Sequence, residues 1–451
     1  MYAVTNPATG EIEAEFATAS DEQIQQALSS TDQAYQAWSV SALDDRVALL
    51  NRVADIYETR ADELAAIITR EMGKPIKQSL GEISIVVAIY RYYAKNGPKF
   101  LEDEELEIAS GGRALVRKES VGVLLGIMPW NFPYYQVARF AAPNLVLGNT
   151  IILKHAPQCP ESAAAIEKMY LDAGFPIGAY VNVYATNDQA AVIIADPRVQ
   201  GVSVTGSERA GAAVAELAGR NLKKVALELG GSDPFILLST DDIDAAVAGA
   251  VDARLDNNGQ SCNAPKRFIV VDGLYDTFLQ KFTDAMKAQV VGDPFADGTT
   301  VGPLSSLPAA ERLAAQVDRA VAQGATLVTG GTRDGAFYTP TVLTGVTPEM
   351  DVYREELFGP ASVVYRVADE DAAVALANDT SFGLGSYVYT TDPAQADRVA
   401  NKIDAGMVYV NVTLADSPEL PFGGVKRSGT SREMGLLAAD EFVNKKLIRA
   451  V

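Results

Sequence analysis

The polar stretch Asn-Asn-Gly-Gln-Ser-Cys at positions 257–262 holds one of only two cysteines in the 451-residue chain. A structural cysteine usually lies among apolar side chains, whereas Cys262 follows polar and flexible residues that are typical of a loop. A nucleophilic thiol needs access and surroundings that favour the thiolate, such as backbone N–H donors. The sequence therefore favours Cys262 as an exposed nucleophile in a mobile loop. For the other cysteine, Cys159, we favour burial over a redox role.

Glu228 is the candidate base for this thiol. The chain has one histidine, His155, so a mechanism based on a His base has only this residue to use. Glu228 ends the apolar run Val-Ala-Leu-Glu and precedes Gly230-Gly231. A carboxylate at the carboxyl end of a strand faces the cleft, where partial burial raises its pKa towards that of a general base. An ordinary solvated Glu is the alternative. The double glycine favours the catalytic role of Glu228, because glycine lets a ligand or another backbone segment approach closely.

Asn131 lies between two prolines and among aromatic residues in the segment Ile-Met-Pro-Trp-Asn-Phe-Pro. Its side-chain amide could donate to a developing oxyanion, and the loss of one such donor costs roughly 10²–10³ in rate. A structural turn Asn is the alternative, and by itself this pattern favours that alternative. Asn131 becomes a candidate only together with Cys262 and Glu228.

Three further segments have residues suited to a dinucleotide. Gly206, Ser207 and Gly211 form a glycine-rich turn between a predicted strand and a predicted helix, which suits a pyrophosphate although the full G-x-G-x-x-G pattern is absent. Lys154 ends another apolar strand, where it could contact ribose hydroxyls or a phosphate. In Arg-Glu-Glu-Leu-Phe-Gly-Pro, Glu356 could bind ribose and Phe358 could flank a flat base. Each has an ordinary surface residue as the alternative.

The composition excludes several functions. The formal net charge of −20 argues against nucleic acid and anionic membranes as partners. A single histidine and the lack of a C-x-x-C pair make a zinc site improbable, so we expect no metal. The N-terminus has no basic region followed by an apolar run, and no apolar stretch reaches spanning length. Two cysteines cannot form a disulfide framework, so a reducing, cytoplasmic location is expected.

Apolar strands alternate with helices from about residue 121 onwards, which is the doubly wound α/β pattern in which ligands bind at the carboxyl ends of strands. We expect two Rossmann-like domains that share an active-site cleft: a dinucleotide-binding domain (1–103 and 120–229) and a catalytic domain (230–431). Two short strands around Gly111-Gly112 predict a β-hairpin. This hairpin either packs on a neighbouring subunit, forming an oligomerisation arm (104–119 and 432–451), or lies on its own domain.

Five segments in order, PWNFP, LELGG, GQSC, EELFGP and PFGG (421–424), together resemble the aldehyde dehydrogenase superfamily over nearly the whole chain. The resemblance implies that Cys262 attacks an aldehyde beside a nicotinamide, that Asn131 and the Cys262 N–H hold the oxyanion, and that Glu228 activates water to hydrolyse a thioester. It places Lys154, Ser207, Glu356 and Phe358 at the cofactor, and Trp130 and Leu229 at its nicotinamide side. His155 is then expected to shape the adenosine end of the cleft.

Within the superfamily, LKHAPQ and ARFAAPNLVLGN look like the succinate-semialdehyde dehydrogenase subgroup. The resemblance implies oxidation of succinate semialdehyde to succinate, with Arg139 on the distal carboxylate. Pro157 occupies the position where many relatives have a Glu that rejects a 2′-phosphate, so NAD(P) use with a lean to NADP is expected. Asp416 stands where the subgroup commonly has Ser, and an Asp would repel a carboxylate unless Arg139 compensates or Ser417 takes over.

Other functions stay open from the sequence. Tyr134, Tyr135 and Phe140 could line an apolar tunnel, so another aliphatic or aromatic aldehyde is the first alternative substrate. A catalytically idle binding or structural protein is a second alternative, which the intact Cys262, Glu228 and Asn131 oppose. A cysteine hydrolase is weaker still because no second histidine exists. Family dimers and tetramers share strands between subunits, so a homodimer or homotetramer is expected.

Overall fold

Thirteen α-helices lie within residues 1–450, the part of the chain that the computed structural model describes. The helices are α1 (Asp21–Trp38), α2 (Leu43–Thr59), α3 (Ala61–Met72), α4 (Ile76–Phe100), α5 (Tyr135–Leu147), α6 (Pro160–Ala173), α7 (Asn187–Ala195), α8 (Glu208–Arg220), α9 (Ile243–Leu255), α10 (Asp272–Lys287), α11 (Leu307–Ala322), α12 (Glu370–Asn378) and α13 (Pro393–Lys402).

Nineteen strands complete the regular structure of these residues. The strands are β1 (Tyr2–Thr5), β2 (Ile12–Phe16), β3 (Glu104–Glu105), β4 (Arg113–Ser120), β5 (Val123–Met128), β6 (Thr150–His155), β7 (Tyr180–Asn182), β8 (Val199–Thr205), β9 (Lys224–Glu228), β10 (Pro234–Leu237), β11 (Arg267–Val271), β12 (Thr326–Thr329), β13 (Arg333–Asp334), β14 (Phe337–Tyr338), β15 (Thr341–Thr344), β16 (Ala361–Val367), β17 (Tyr387–Tyr389), β18 (Tyr409–Val410) and β19 (Val443–Ala450).

The first large sheet is parallel, with the strand order β7-β6-β5-β8-β9. Its central strands β5, β6 and β8 are almost wholly buried, because apolar cores cover both faces of the sheet. Since parallel strands end at the same edge, the last residues of β5, β6, β8 and β9 lie along one edge. These residues are Met128, His155, Thr205 and Glu228.

The second large sheet has seven strands in the order β12-β15-β16-β11-β10-β17-β18, and only β12 is antiparallel to its neighbour. Two apolar cores cover its faces. The segment that joins α9 to β11 begins with a 3₁₀ turn at Asp256–Gly259 and continues to Cys262. Together the two sheets confirm the predicted α/β class with two wound sheets.

A small antiparallel sheet, in the order β19-β4-β3, differs from the predicted hairpin. The predicted hairpin of two short strands is present in shortened form, because β3 has only two residues, which pair antiparallel with β4, and residues 106–112 form no strand. Instead, β4 pairs along its whole length with the C-terminal strand β19, which offers eight partners where β3 offers two.

The N-terminal hundred residues are mostly helical, and the short strand pair β1-β2 precedes the helices. A capping box precedes α1, since Ser20 Oγ accepts from the Gln23 N–H and Gln23 Oε1 accepts from the Ser20 N–H. Helix α4 has 25 residues and contacts both α2 and α5. None of the helices in residues 1–450 has the length and apolar character required to span a bilayer.

Candidate active site

The thiol loop, residues 256–262, is buried over most of its length by a hydrogen-bonded polar layer. Asn257 and Asn258 adopt left-handed φ values of 53° and 57°, which Asn tolerates better than most residues. Asn258 Nδ2 donates to the carbonyl oxygens of Gly73 (3.0 Å) and Pro303 (2.9 Å). The prediction of an exposed loop is therefore wrong for residues 257–261. Their side chains are buried because they satisfy backbone groups that would otherwise lack partners.

Asn131 is tied directly to this loop. Its Nδ2 donates to the Gln260 carbonyl at 3.0 Å, and its own carbonyl accepts from Asn257 Nδ2 at 2.6 Å. The side chain is nearly buried, with 4% of the residue exposed. An amide NH₂ group has two hydrogens, so the second remains available for a ligand oxygen. The Asn131 segment and the thiol loop thus hold each other in one geometry.

Cys262 is half-buried, and its surroundings do not favour a thiolate in the free protein. Burial raises the pKa of the thiol to about 12, although Arg139 and Lys266 act in the opposite direction. The backbone is firmly held, because Lys266 Nζ donates to the Cys262 carbonyl at 2.6 Å. The expectation of surroundings that favour the thiolate is corrected to a neutral thiol at neutral pH, because desolvation outweighs the two cations.

Glu228 ends β9 and is buried, with 2% of the residue exposed. Its Oε1 accepts a hydrogen bond from Ser431 Oγ at 2.7 Å, and its Oε2 has no partner in the described chain. Burial and the neighbouring Glu433 raise the pKa of Glu228 well above its usual value, while Arg139 opposes the shift. A raised pKa is what a carboxyl group needs in order to exchange protons near neutral pH.

A cavity of about 290 Å³ opens beside Cys262 at the carboxyl edge of the first sheet. It brings together most of the predicted cofactor residues. The predicted residues in its wall are Trp130, Asn131, Gly206, Ser207, Leu229, Cys262, Glu356 and Phe358. The Glu228 side chain is not part of this wall, although the next two residues of the chain are.

The cavity wall has features that fit a dinucleotide. Ser207 caps the N-terminus of α8, where helix N–H groups and the helix dipole favour a phosphate. A Cβ atom added to Gly206 would meet open space, so ligand atoms can approach that backbone. Thr205 Oγ1 is buried in the wall and has no partner among residues 1–450. The wall also contains the cation Arg312, which the sequence analysis missed because nothing in helix α11 marked it.

Glu356 and Phe358 lie at the cavity but contact protein groups as well. The Gly231 N–H donates to Glu356 Oε1 at 3.0 Å, and Lys266 Nζ lies 3.6 Å from the same oxygen. Burial raises the pKa of Glu356, against the influence of Lys266. Phe358 packs edge-on against Trp130, with ring centroids 5.7 Å apart. The second carboxylate oxygen of Glu356 remains available to a ribose hydroxyl.

Lys154 and Pro157 are outside the cavity wall. Lys154 is nearly buried at the end of β6, and burial lowers its pKa. Pro157 is exposed in the following turn, at the same edge of the sheet. His155 is buried, and its Nε2 lies 3.0 Å from the Pro133 carbonyl, so this ring supports the Asn131 segment. The expected burial of the second cysteine is confirmed.

A second, smaller cavity of about 90 Å³ also has Cys262 in its wall. Arg139 and Tyr135 line it, as predicted for substrate residues. The Arg139 guanidinium is fully buried between the rings of Tyr135 and Phe422, and its Nε lies 2.8 Å from Glu433 Oε2. Its other guanidinium nitrogens have no partner in the described chain.

Asp416 lines this second cavity, whereas Ser417 does not. The Asp416 carboxylate accepts from the Tyr409 hydroxyl at 2.7 Å and from Asn263 Nδ2 at 3.0 Å. The possibility that Ser417 takes over from the usual Ser finds no support in the cavity wall. Asp256 and Gln136 also line the cavity, and the sequence analysis overlooked both.

A buried ion pair, Lys74–Glu82, supports the site and was also overlooked. Glu82 Oε1 accepts from the Tyr134 N–H at 2.9 Å and the Tyr135 N–H at 3.1 Å, at the start of α5. Lys74 Nζ lies 3.8 Å from the centroid of the Phe132 ring. The available signal was a Glu on the apolar face of a helix, where it is costly without a partner. In the described residues, no group of three or more His, Cys, Asp or Glu side chains could hold a metal ion.

The two wound sheets, with the Cys262 thiol, the Asn131 amide and the buried Glu228 carboxyl group, are typical of an enzyme that uses a cysteine nucleophile beside a dinucleotide. The sequence profile of the aldehyde dehydrogenase family matches residues 1–448. The chain therefore belongs to the aldehyde dehydrogenase family.

Individual relatives give a finer comparison. The chain is 51% identical to the succinate-semialdehyde dehydrogenase [NADP(+)] of Deinococcus radiodurans, over all of this chain and 94% of the relative. It is 45% identical to the enzyme of the same name from Mycobacterium avium, over 99% and 96% of the two chains. Among solved structures, the succinic semialdehyde dehydrogenase from Streptococcus pyogenes in complex with NADP+ superposes with a TM-score of 0.97, at 41% identity over 99% of each chain.

Proposed function

We propose that this chain oxidises succinate semialdehyde to succinate with NADP as the hydride acceptor. The relatives from three genera support this substrate and cofactor. The observation that carries the proposal is the position of Cys262, which lines both the cavity suited to a dinucleotide and the cavity that contains Arg139. A thiol with this placement can attack the aldehyde carbon of a substrate in the Arg139 cavity, next to a dinucleotide in the other cavity.

The chain's own groups divide the chemistry between them. Cys262 Sγ attacks the aldehyde carbon, and the resulting oxyanion accepts hydrogen bonds from the free Asn131 amide hydrogen and the Cys262 backbone N–H. Because the resting thiol is neutral, its proton must leave during attack, and Glu228, a buried carboxyl group with a raised pKa, is the candidate to accept it. A bound nicotinamide would supply the hydride acceptor, and loss of hydride from carbon and of the hydroxyl proton would convert the Cys262 thiohemiacetal into a thioester.

Hydrolysis completes the cycle. Glu228 removes a proton from a water molecule, which attacks the thioester carbon, releases the carboxylic acid and restores the thiol. The Glu228 carboxyl group is hydrogen-bonded to Ser431 and lies outside the cavity wall, so we expect it to leave Ser431 when it acts on the water molecule. At the far end of the substrate, the unpartnered guanidinium nitrogens of Arg139 are suited to bind a carboxylate.

The cofactor assignment follows the dinucleotide cavity. Gly206, Ser207 and the start of α8 would hold the pyrophosphate, and Trp130, Leu229 and Phe358 would surround the nicotinamide. Glu356 would bind the nicotinamide ribose, and Lys154 would contact the adenosine ribose or its 2′-phosphate. Pro157 places no carboxylate there, which supports the use of NADP.

Steady-state kinetics with the purified full chain test this proposal. Succinate semialdehyde should be oxidised with NADP at a higher kcat/KM than with NAD, followed as reduced nicotinamide. A matched Cys262→Ser variant should lose this turnover, and Arg139→Ala should lose the preference for succinate semialdehyde over butanal. Failure of the wild type to oxidise succinate semialdehyde with either cofactor would refute the proposal.

We also propose the division into a dinucleotide-binding domain (1–103, 120–229), a catalytic domain (230–431) and an oligomerisation arm (104–119, 432–451), in a cytoplasmic homodimer or homotetramer. The outer edge of β19 supports strand sharing, since β4 covers only one side of it. A free, unpaired thiol nucleophile suits a reducing compartment. Light scattering should give twice or four times the monomer mass of 47.9 kDa, and a monomer would contradict the arm assignment.

A further inference from the structure

Lys266 is a buried cation next to the thiol loop, and no step of the chemistry described above uses it. Only 1% of the residue is exposed, although lysine is almost never fully buried unless its charge is paired. Its Nζ donates to the carbonyl oxygens of Ser261 (3.0 Å) and Cys262 (2.6 Å). An ammonium group has three N–H donors, so one remains after these two bonds. The side chain is thus fixed to the backbone of the nucleophile with one donor left.

The Glu356 carboxylate lies within ion-pair distance of this remaining donor. Lys266 Nζ is 3.6 Å from Glu356 Oε1, which also accepts from the Gly231 N–H at 3.0 Å. The separation of 3.6 Å is too long for a hydrogen bond, but two opposite charges this close interact strongly when water is excluded. Glu356 lines the dinucleotide cavity. One ammonium group therefore contacts the backbone of the nucleophile and faces the carboxylate assigned to ribose.

The second large sheet holds the base of the Lys266 side chain. The Lys266 N–H donates to the Asp233 carbonyl at 3.0 Å, directly before β10, and the Lys266 carbonyl accepts from the Val363 N–H of β16 at 2.9 Å. Strand β11 begins at the next residue and pairs with both β10 and β16. Because both of its backbone groups are bonded to neighbouring strands, Lys266 reaches the thiol loop from a rigid element, as a positioning residue requires.

Other ionisable groups also face Lys266. Asp233 precedes β10, Arg254 lies in α9 and Cys262 is in the thiol loop. Burial lowers the pKa of Lys266, and Arg254 adds to this shift. Glu356 and Asp233 oppose it, and Glu356 has the larger influence of the two. The charge of Lys266 is therefore supported mainly by Glu356.

The same charges act on the thiol and on the carboxylate. Burial raises the pKa of Cys262 to about 12, while Arg139 and Lys266 lower it. Asp233 and Glu356 raise the pKa of the thiol further. Burial also raises the pKa of Glu356, and Lys266 is the strongest influence against that shift. Lys266 thus favours the anionic form of both groups, whereas Glu356 disfavours the thiolate.

We propose that Lys266 is a positioning residue that links the two ligand sites, because its ammonium group fixes the Cys262 backbone and balances the charge of the Glu356 carboxylate. This inference rests on the proposed function only in assigning the nicotinamide ribose to Glu356. Without the ammonium group, two backbone carbonyls lose a donor and Glu356 loses its counter-charge. The thiol and the ribose-binding carboxylate are then both less readily ionised.

Alkylation of Cys262 by iodoacetamide at pH 7, without cofactor, tests the link to the thiol. Glu356→Gln should react about threefold faster than the wild type. The loss of a nearby like charge lowers a pKa by about one unit, and the less basic thiolate gives back part of the gain. Adding Lys266→Met to Glu356→Gln should slow the reaction again by about threefold. A merely structural role predicts the opposite, since a loosened loop would expose the thiol. An equal or faster reaction of the double variant than of Glu356→Gln would overturn the proposal.

Calorimetric titration with NADP tests the link to the carboxylate. Lys266→Met should raise the Kd of NADP about tenfold at pH 7, because the unbalanced Glu356 takes up a proton and loses a charged hydrogen bond. The loss should shrink as the pH rises, since a carboxyl group with a raised pKa ionises at higher pH. In the Glu356→Gln background, Lys266→Met should leave the Kd unchanged. An equal increase in Kd in both backgrounds would overturn the link between Lys266 and Glu356.

Lys287→Met is the matched control, because it removes an exposed lysine at the end of α10 and should leave both the Kd and the alkylation rate at wild-type values. If the Lys266 variants are too unstable to purify, Glu356→Gln alone still decides, since an alkylation rate equal to or below that of the wild type would overturn the proposal. None of these measurements needs turnover. The expected rate changes without any oxidation of succinate semialdehyde would refute the proposed function and support the role of Lys266.

Discussion

Alkylation of Cys262 in the free enzyme should be slow at neutral pH and should accelerate steeply as the pH rises. Burial raises the pKa of this thiol to about 12, against about 8.5 for a free cysteine. At pH 8 the thiolate fraction is then about 10⁻⁴, compared with about 0.24 for the free thiol, a ratio of roughly 2,000. A thiolate of higher pKa is more nucleophilic, which recovers a factor of about 40. The net expectation is a rate about 60-fold below that of a free thiol.

Iodoacetamide and mass spectrometry test this expectation between pH 7 and 10. The rate of Cys262 modification should increase about tenfold for each pH unit, without a plateau, because the thiolate fraction grows in that proportion below the pKa. Cys262→Ser is the control that measures modification of the buried Cys159. A plateau below pH 9 would show that the free enzyme already stabilises the thiolate, and would refute the argument from burial.

Three further substitutions test the supporting residues. Asn131→Ala should lower kcat by roughly 10²–10³ through loss of an oxyanion donor; an unchanged kcat would remove Asn131 from the oxyanion site. Glu228→Gln should lower turnover by about 10²–10⁴ while stoichiometric hydride transfer persists in a rapid-mixing burst; equal loss of burst and turnover would contradict its role in hydrolysis. Glu82→Ala should destabilise the protein by about 3–5 kcal/mol, because Lys74 is left buried and unpaired. The melting temperature of Glu82→Ala should fall well below that of the exposed-site control Glu63→Ala. Equal melting temperatures in the two variants would contradict the inference that Glu82 stabilises the start of α5.

The fold was largely predictable because its signals are local. Short apolar runs such as β5 and β6 match the buried parallel strands, and the Ser20–Gln23 pattern matches the start of α1. The arm was predicted less well, because the best partner of β4 is β19, more than three hundred residues later in the chain. Sequence periodicity identifies a strand but not which distant strand pairs with it.

The site was predictable for residues with distinctive chemistry in distinctive segments. Cys262, Asn131 and the turn at Gly206-Ser207 share one cavity wall, as the sequence led us to expect. The state of the thiol and the role of Ser417 were not predictable in this way, because both depend on which side chains pack around the loop.

The buried pair Lys74–Glu82 explains how two distant segments reach a common geometry. Glu82 holds the first N–H groups of α5, directly after the Asn131 segment, and Asn258 donates to the Gly73 carbonyl beside Lys74. The short segment from Gly73 to Glu82 is therefore bonded both to the oxyanion donor and to the thiol loop. Burial raises the pKa of Cys262, so a firmly positioned nucleophile and a neutral resting thiol are consequences of the same packing.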